Sequence, residues 1–297
     1  SVVRVTSEYH RSTLIQEFCL YNDLDQIGVA VTVDWQEQHK MLKLRFPLNL
    51  VQPKATYEIP YGHIQRPTNG EEEPGQSWID LSGISRLNGF RYGLSILNDG
   101  KYSFDVDGPD IGLTILRSPI YAHHDPFIPD PEQHYTYIDQ GMQKFHYTLL
   151  PHTGSWEEAG TVRRAAELNQ PPIALVTTIH PGPLPHSDSF ASVGQDNLIL
   201  SVVKLAEDSD DLILRCYETA GLATTGSIHL PHFNRTITAA FGPNEIKTFR
   251  VPRDEALPVI EHDLQFLAVG CYSAVSMVQQ LNRHAEHQLL RAQRLTV

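Results

Sequence analysis

Period-two alternation of apolar and polar residues restricts this chain more than any other feature of its sequence. In QIGVAVTVDW, Ile27, Val29, Val31 and Val33 fall on one face of an extended strand, and in MLKLRF, Leu42, Leu44 and Phe46 do the same. Further strands are expected at residues 2–9, 13–21, 55–59, 92–97, 111–117 and 144–150. Turn chemistry separates them, as in Asn98-Asp99-Gly100 and Asp107-Gly108-Pro109. Many strands with almost no intervening helices imply an all-β, antiparallel sandwich rather than a parallel α/β sheet.

One helix interrupts the pattern. Ser155 and Glu158 have the spacing of a capping box, and the residues after them are helix formers until Pro171 and Pro172, so a helix is expected near 156–169. A proline-rich linker at 181–189 follows, and strands resume at 198–205, 212–217, 227–230, 237–241 and 246–251. From about residue 261 the period changes. Leu264, Leu267, Ala268, Cys271, Val275, Val278 and Leu281 recur at three- and four-residue spacing, followed by Leu289, Ala292 and Leu295, as in an amphipathic helix. The expected organisation is a large β-supersandwich at 1–187, a small β-sandwich at 188–252 and a helical extension at 253–297. The apolar stripe of that extension is expected to bury against the sandwich or against another copy in a homo-oligomer.

Composition narrows the partners. A chain of 297 residues is long enough to bury about 75% of its unfolded surface. No stretch approaches the roughly 18 uninterrupted apolar residues of a membrane helix, so no membrane span is expected. Against 35 Asp and Glu stand 23 Lys and Arg in no basic block, which argues against nucleic acid as a partner. Cys19, Cys216 and Cys271 lie far apart in apolar surroundings, offering neither a disulfide framework nor a metal knuckle, so a reducing, cytoplasmic setting is expected. The N-terminus lacks the pattern of a secretory signal and opens directly in strand-like alternation, which suggests a start partway through a longer protein.

Candidate chemistry is sparse. His229 and His232 flank Pro231, and at that spacing in an extended segment their side chains diverge. His284 and His287 would share a helix face but lack a third ligand nearby. His186-Ser187-Asp188 sits in the linker, and His123-His124-Asp125 reads as a solvated loop. Asp105 with Asp107, or Glu157 with Glu158, are expected to be solvated or capping groups rather than an acid–base pair. Trp35, Trp78 and Trp156 are expected in the core, with Trp78 also weighed as a platform for a sugar ring.

The segments VDWQEQHKMLKLRFP (33–47), YEIPYGHIQRPT (57–68), LNDGKYSFD (97–105), ILRSPIY (115–121) and PHTGSWEEAGTVRRAAELNQP (151–171) occur in an order and spacing that resemble the C-terminal half of glycoside hydrolase family 38 α-mannosidases, of the cytosolic, vacuolar and bacterial branch. The resemblance implies a supersandwich of the galactose-mutarotase type. It also implies a retaining α-mannosidase acting on mannose-containing oligosaccharides, in which one carboxylate attacks the anomeric carbon and another acid protonates the leaving oxygen. A divalent metal, usually zinc, is implied for the full enzyme. In the family those groups lie in an N-terminal α/β domain and a three-helix bundle, which this chain lacks. No catalytic residue, metal ligand or cofactor is therefore expected here, and the implied partner is an N-terminal catalytic domain in cis.

The resemblance also points to substrate contacts. An arginine near the end of the strand corresponding to 111–117 approaches the active site in Golgi members, which aligns with Arg117, and Asn98, Asp99 and Tyr61 lie in matching motifs. An arginine there would offer a planar fork of donors to sugar hydroxyls or a carboxylate. The alternative is a free-standing carbohydrate-binding β-sandwich, which would require an exposed aromatic platform. A mutarotase-like epimerase would need a His and Glu acid–base pair, for which the sequence offers no placement.

Overall fold

The structure is a computed structural model that describes residues 1–123, 128–179, 181–183 and 185–262. The expected C-terminal helix, with Cys271, His284 and His287, lies outside the described residues, as do His124 and Asp125. The chain divides into two units, residues 1–183 and 184–297.

Twelve strands and one helix make up the first unit. They are β1 (Val2–Tyr9), β2 (Ser12–Leu20), β3 (Ile27–Trp35), β4 (Met41–Pro47), β5 (Leu50–Ile59), β6 (Gly62–Arg66), β7 (Asn69–Pro74), β8 (Trp78–Ser85), β9 (Arg91–Asn98), β10 (Ser103–Asp107), β11 (Asp110–Arg117), β12 (Gly141–Thr153) and α1 (Thr161–Asn169). An eight-stranded sheet in the order β1-β2-β3-β12-β9-β8-β5-β6 is accompanied by a four-stranded sheet in the order β4-β11-β10-β7. The alternation explains the packing. Val29, Val31, Val33, Ile79, Leu81 and Ile96 of the larger sheet share one core with Phe104, Val106, Ile111 and Leu113 of the smaller. Each such side chain contributes about 1.5–3 kcal/mol on burial.

The outer face of the larger sheet carries a second, smaller core. Trp78, Leu97, Trp156 and Ala165 pack together with Val162 and Leu168 of α1. The rings of Trp78 and Trp156 lie 5.0 Å apart, inclined by 32°. Trp78 is 1% exposed, so the sugar platform considered for it is not available. The capping box forms: Ser155 N–H donates to Glu158 Oε2 at 3.0 Å, and Glu158 N–H to Ser155 Oγ at 3.4 Å. It closes a turn rather than the helix. Gly160, at φ 67°, breaks the helical path, and α1 begins at Thr161 instead of near residue 156.

The second unit contains β13 (Ser192–Val193), β14 (Leu198–Leu205), β15 (Leu212–Glu218), β16 (Thr224–Leu230), β17 (Arg235–Phe241), β18 (Ile246–Val251) and β19 (Ile260–His262). Sheets in the order β13-β16-β17 and β14-β15-β18-β19 enclose Leu198, Leu214, Cys216, Ile228, Leu230, Phe241 and Phe249. Glu218, fully buried, anchors the loops. Its carboxylate accepts the N–H groups of Ala220 at 2.7 Å, Gly221 at 2.8 Å, Leu222 at 3.1 Å and Asn244 at 2.9 Å, and the side-chain amide of Asn197 at 2.8 Å.

Candidate functional site

Strand direction brings Tyr61, Asn98, Asp99 and Arg117 to one end of the first sandwich. β5 and β9 both run antiparallel to β8, and β3 and β9 both run antiparallel to β12, so all three end on the same side. Tyr61 follows β5, Asn98 and Asp99 follow from β9, and Arg117 ends β11 beside Trp35, whose Nε1–H donates to Ser118 Oγ at 3.2 Å. The four are not level. Asn98 pairs with Tyr147 and Tyr147 with Val29, so β3 runs six residues past Asn98 to Trp35. At 3.3 Å per residue that step is about 20 Å, far more than one sugar ring spans.

Each side chain has a different employment. Asn98 is fully buried: its Nδ2 donates to Gln76 O at 3.1 Å, and its Oδ1 accepts from Gly100 N–H at 3.1 Å and Lys101 N–H at 2.7 Å. Asn98 therefore shapes the turn. Asp99 accepts His146 N–H at 2.8 Å on one oxygen and faces His146 Nδ1 at 2.8 Å with the other. Tyr61, at φ 56° in the tight turn between β5 and β6, is 38% exposed. Arg117 is exposed, its N–H donates to Asp139 Oδ2 at 3.1 Å, and its guanidinium has no partner among the described residues.

Two groupings escaped the sequence. Asp80, Ser82, Ser95, His152 and Thr161 form a network under α1. Ser82 Oγ donates to Asp80 Oδ1 at 2.5 Å, Ser95 Oγ to Asp80 Oδ2 at 2.9 Å, His152 Nε2 stands 2.7 Å from Asp80 Oδ2, and Ser95 Oγ lies 2.8 Å from Thr161 Oγ1. Acid, histidine and serine are the components of a nucleophilic triad, but here both serines bond the carboxylate and the group is closed to solvent. It ties the helix to the sheet. Glu58 and His63 are direct partners across the β5–β6 hairpin. Burial raises the Glu58 carboxyl above its ordinary range, against hydrogen bonds from Ser77, whose N–H donates at 2.5 Å. His63 packs edge-on against Trp156. The alternation of Asp80 and Ser82 with Ile79 and Leu81 was a readable signal, whereas the Glu58–His63 pairing required the register.

Several of the carboxylates and histidines considered as catalytic or metal-binding are otherwise occupied. Asp105 receives Lys43 Nζ at 2.5 Å and the Arg45 guanidinium, while Glu72 joins Lys43 and accepts the hydroxyl of Ser103 at 2.6 Å. Burial pushes the Asp105 carboxyl up, but Lys43 and Arg45 together hold it below the usual range. Asp107 is exposed. His232 pairs with Asp188 at 2.8 Å, and His229 Nδ1 meets Thr236 Oγ1 at 3.0 Å. Among the described residues no three His, Cys, Asp or Glu side chains converge, so the divalent metal implied by the resemblance finds no fitting ligand set among them.

Comparison with known proteins decides the family. The family model described as "Glycosyl hydrolases family 38 C-terminal domain" matches residues 1–132, and "Glycosyl hydrolases family 38 C-terminal beta sandwich domain" matches residues 197–240. The chain belongs to glycoside hydrolase family 38. It is 36% identical to alpha-mannosidase 2C1 of Mus musculus over 222 residues, which are 71% of this chain and 19% of that protein. It is 32% identical to alpha-mannosidase G of Dictyostelium discoideum over 214 residues, 67% of this chain and 18% of that protein. The chain thus spans about a fifth of the length of the curated relatives it matches. A crystal structure of a family 38 protein from Enterococcus faecalis shares the fold, with a TM-score of 0.68 at 19% identity over 81% of this chain and 30% of that one. The first family 38 match contains Tyr61, Asn98, Asp99 and Arg117, and the second contains the β14–β17 region.

Proposed function

We propose that this family 38 region serves an α-mannosidase that releases terminal α-mannose from oligosaccharides, and that it supports and partly lines an active site built by an N-terminal catalytic portion in cis. The observation that carries this reading is the match to proteins named α-mannosidases, of which the chain spans about a fifth. Catalytic carboxylates and the divalent metal, zinc, belong to the other portion.

Arg117 is the residue proposed to reach the substrate, because its guanidinium is exposed and unpaired among the described residues while its backbone is fixed by Asp139 and the adjoining Ser118–Trp35 contact. Asp99 and Tyr61 stand behind it on the same end, with Asn98 positioning Asp99. β1 supplies a surface for the catalytic portion. All eight of its residues are exposed, and Val3 and Ser7 pair with Phe18 and Leu14, which pack on the core. The face of Val3, Val5 and Tyr9 thus continues the sandwich interior, and among the described residues it stays exposed. The free thiols of Cys19 and Cys216 support a cytoplasmic setting.

The test is Arg117→Ala in the intact α-mannosidase. The expected result is a fall of kcat/KM of at least about tenfold, the loss of one charge-assisted contact, with unchanged thermal stability. Unchanged kcat/KM would remove Arg117 from the active site.

A further inference from the structure

At the end of the first sandwich opposite Asn98, a cavity of about 410 Å³ is lined by Ser85, Asn88, Phe90, Arg91, Tyr92 and Thr153. It forms where β8 turns over into β9. Ser85 N–H donates to Phe90 O at 2.8 Å, Gly89 N–H to Ser85 O at 3.0 Å, and Phe90 N–H to Asn88 Oδ1 at 3.1 Å, so the turn is held from three directions. That frame leaves Phe90 71% exposed. Tyr92 is held from behind, its hydroxyl accepting Asn49 N–H at 3.0 Å.

The lining is unspent in a particular way. The turn uses only the oxygen of Asn88, so its NH₂ group has no partner among the described residues, and the same holds for the Arg91 guanidinium and the Thr153 hydroxyl. An aromatic face suits a partner that presents C–H bonds, because the ring is electron-rich at its centre. The cavity surface is chiefly apolar, and Arg91, Asn88 and Thr153 among its lining residues carry a guanidinium, an amide and a hydroxyl that can donate to or accept from sugar hydroxyls. A pyranose ring has one apolar C–H face and a rim of hydroxyls, and the volume falls within the range of small-molecule sites, about 300–1,000 Å³.

We propose that this cavity is a sugar site, which takes one pyranose ring stacked on Phe90 with its hydroxyls held by Arg91, Asn88 and Thr153. The choice of mannose as the sugar rests on the α-mannosidase reading, while the site does not. Asn98 lies seven residues further along β9 than Arg91, a distance of about 23 Å.

The experiment is an amide chemical-shift titration of the 297-residue chain with methyl α-mannopyranoside and with α-1,2-mannobiose. The expected result is saturable shifts at residues 85–92 and 153. Phe90→Ala should weaken binding about tenfold and Arg91→Gln about threefold, by loss of stacking and of hydrogen bonds respectively. Because both side chains are exposed, both variants should keep the wild-type melting temperature. Phe190→Ala, an exposed phenylalanine of the other unit, should bind as wild type does. Absence of shifts, shifts confined to the Arg117 end, or equal affinity in the Phe90 and Arg91 variants would overturn the proposal. An inactive Arg117→Ala enzyme with intact titration, or the reverse, separates the two readings.

Discussion

His152 Nε2 stands 2.7 Å from Asp80 Oδ2 beneath α1, with 5% and 1% of the two side chains exposed. The same carboxylate holds Ser82 and Ser95, and Ser95 meets Thr161 at the first turn of the helix. A group with these contacts and no path to solvent is a fastening. Its removal should therefore appear in stability.

Asp80→Ala leaves two hydroxyls and an imidazole without their shared acceptor in a buried site. The expected cost is about 3 kcal/mol, read as a lowered urea midpoint. A double-mutant cycle with His152→Ala should return a coupling of at least about 1 kcal/mol. A cost within about 0.5 kcal/mol would show that α1 docks through Trp78 and Trp156 alone.

The pH dependence follows from Asp105 and Glu72. Burial acts to raise both carboxyls, yet Lys43 and Arg45 on Asp105, and Lys43, Ser103 and Thr114 on Glu72, leave both lowered. A carboxylate with a lowered folded pKa contributes stability that is complete above its unfolded value and is lost as pH falls through the folded value. Unfolding free energy should accordingly decline below about pH 4, and Asp105→Asn should reduce that slope while costing about 2 kcal/mol at neutral pH. An unchanged acid slope in the variant would contradict the assignment. Gly112→Ala should disturb the same cluster, because a Cβ there would collide with the Asp105 carboxylate and the Arg45 guanidinium.

In the second unit, Glu218 accepts four backbone N–H groups from two loops. Glu218→Ala should cost about 3 kcal/mol and accelerate amide exchange at Ala220, Gly221, Leu222 and Asn244. Protection unchanged at all four amides would refute its role as the loop anchor.

Cys216 is fully buried on β15, and burial pushes its thiol up to about 12 against a backbone hydrogen bond from Tyr217. It should resist a thiol reagent at pH 8 in the folded protein and react in denaturant. Rapid labelling of Cys216 without denaturant would mean that β15 opens locally.

The fold was legible wherever alternation was strict. Val29, Val31 and Val33 are buried as their spacing predicts, and the long runs of β1 to β4, β11 and β14 to β18 were readable. β7 was not, because NGEEEP carries no apolar face: Glu72 and Glu73 earn their strand from pairing with β10 and from Lys43 and Arg66. β8 is absent from the expected strands although Asp80 and Ser82 alternate with Ile79 and Leu81, because the strand is buried on both faces and its polar side is satisfied by other side chains rather than by water. The helix start was misplaced because a capping box specifies local hydrogen bonds, and Gly160 decides whether they begin a helix. Site residues were named by resemblance, and only strand register shows that Arg117 lies about 20 Å past Asn98 along the sandwich. The cavity beside Phe90 had no sequence signal, since its residues come from three strands and a turn.

The central claim is that this family 38 region depends on a separate catalytic portion. The most direct measurement is turnover of a chromogenic α-mannoside by the 297-residue chain, with zinc or cobalt supplied and the intact α-mannosidase alongside. The account predicts hydrolysis by the intact enzyme and none above background by the chain. Hydrolysis by the chain, abolished by substitution of one of its own carboxylates, would contradict it.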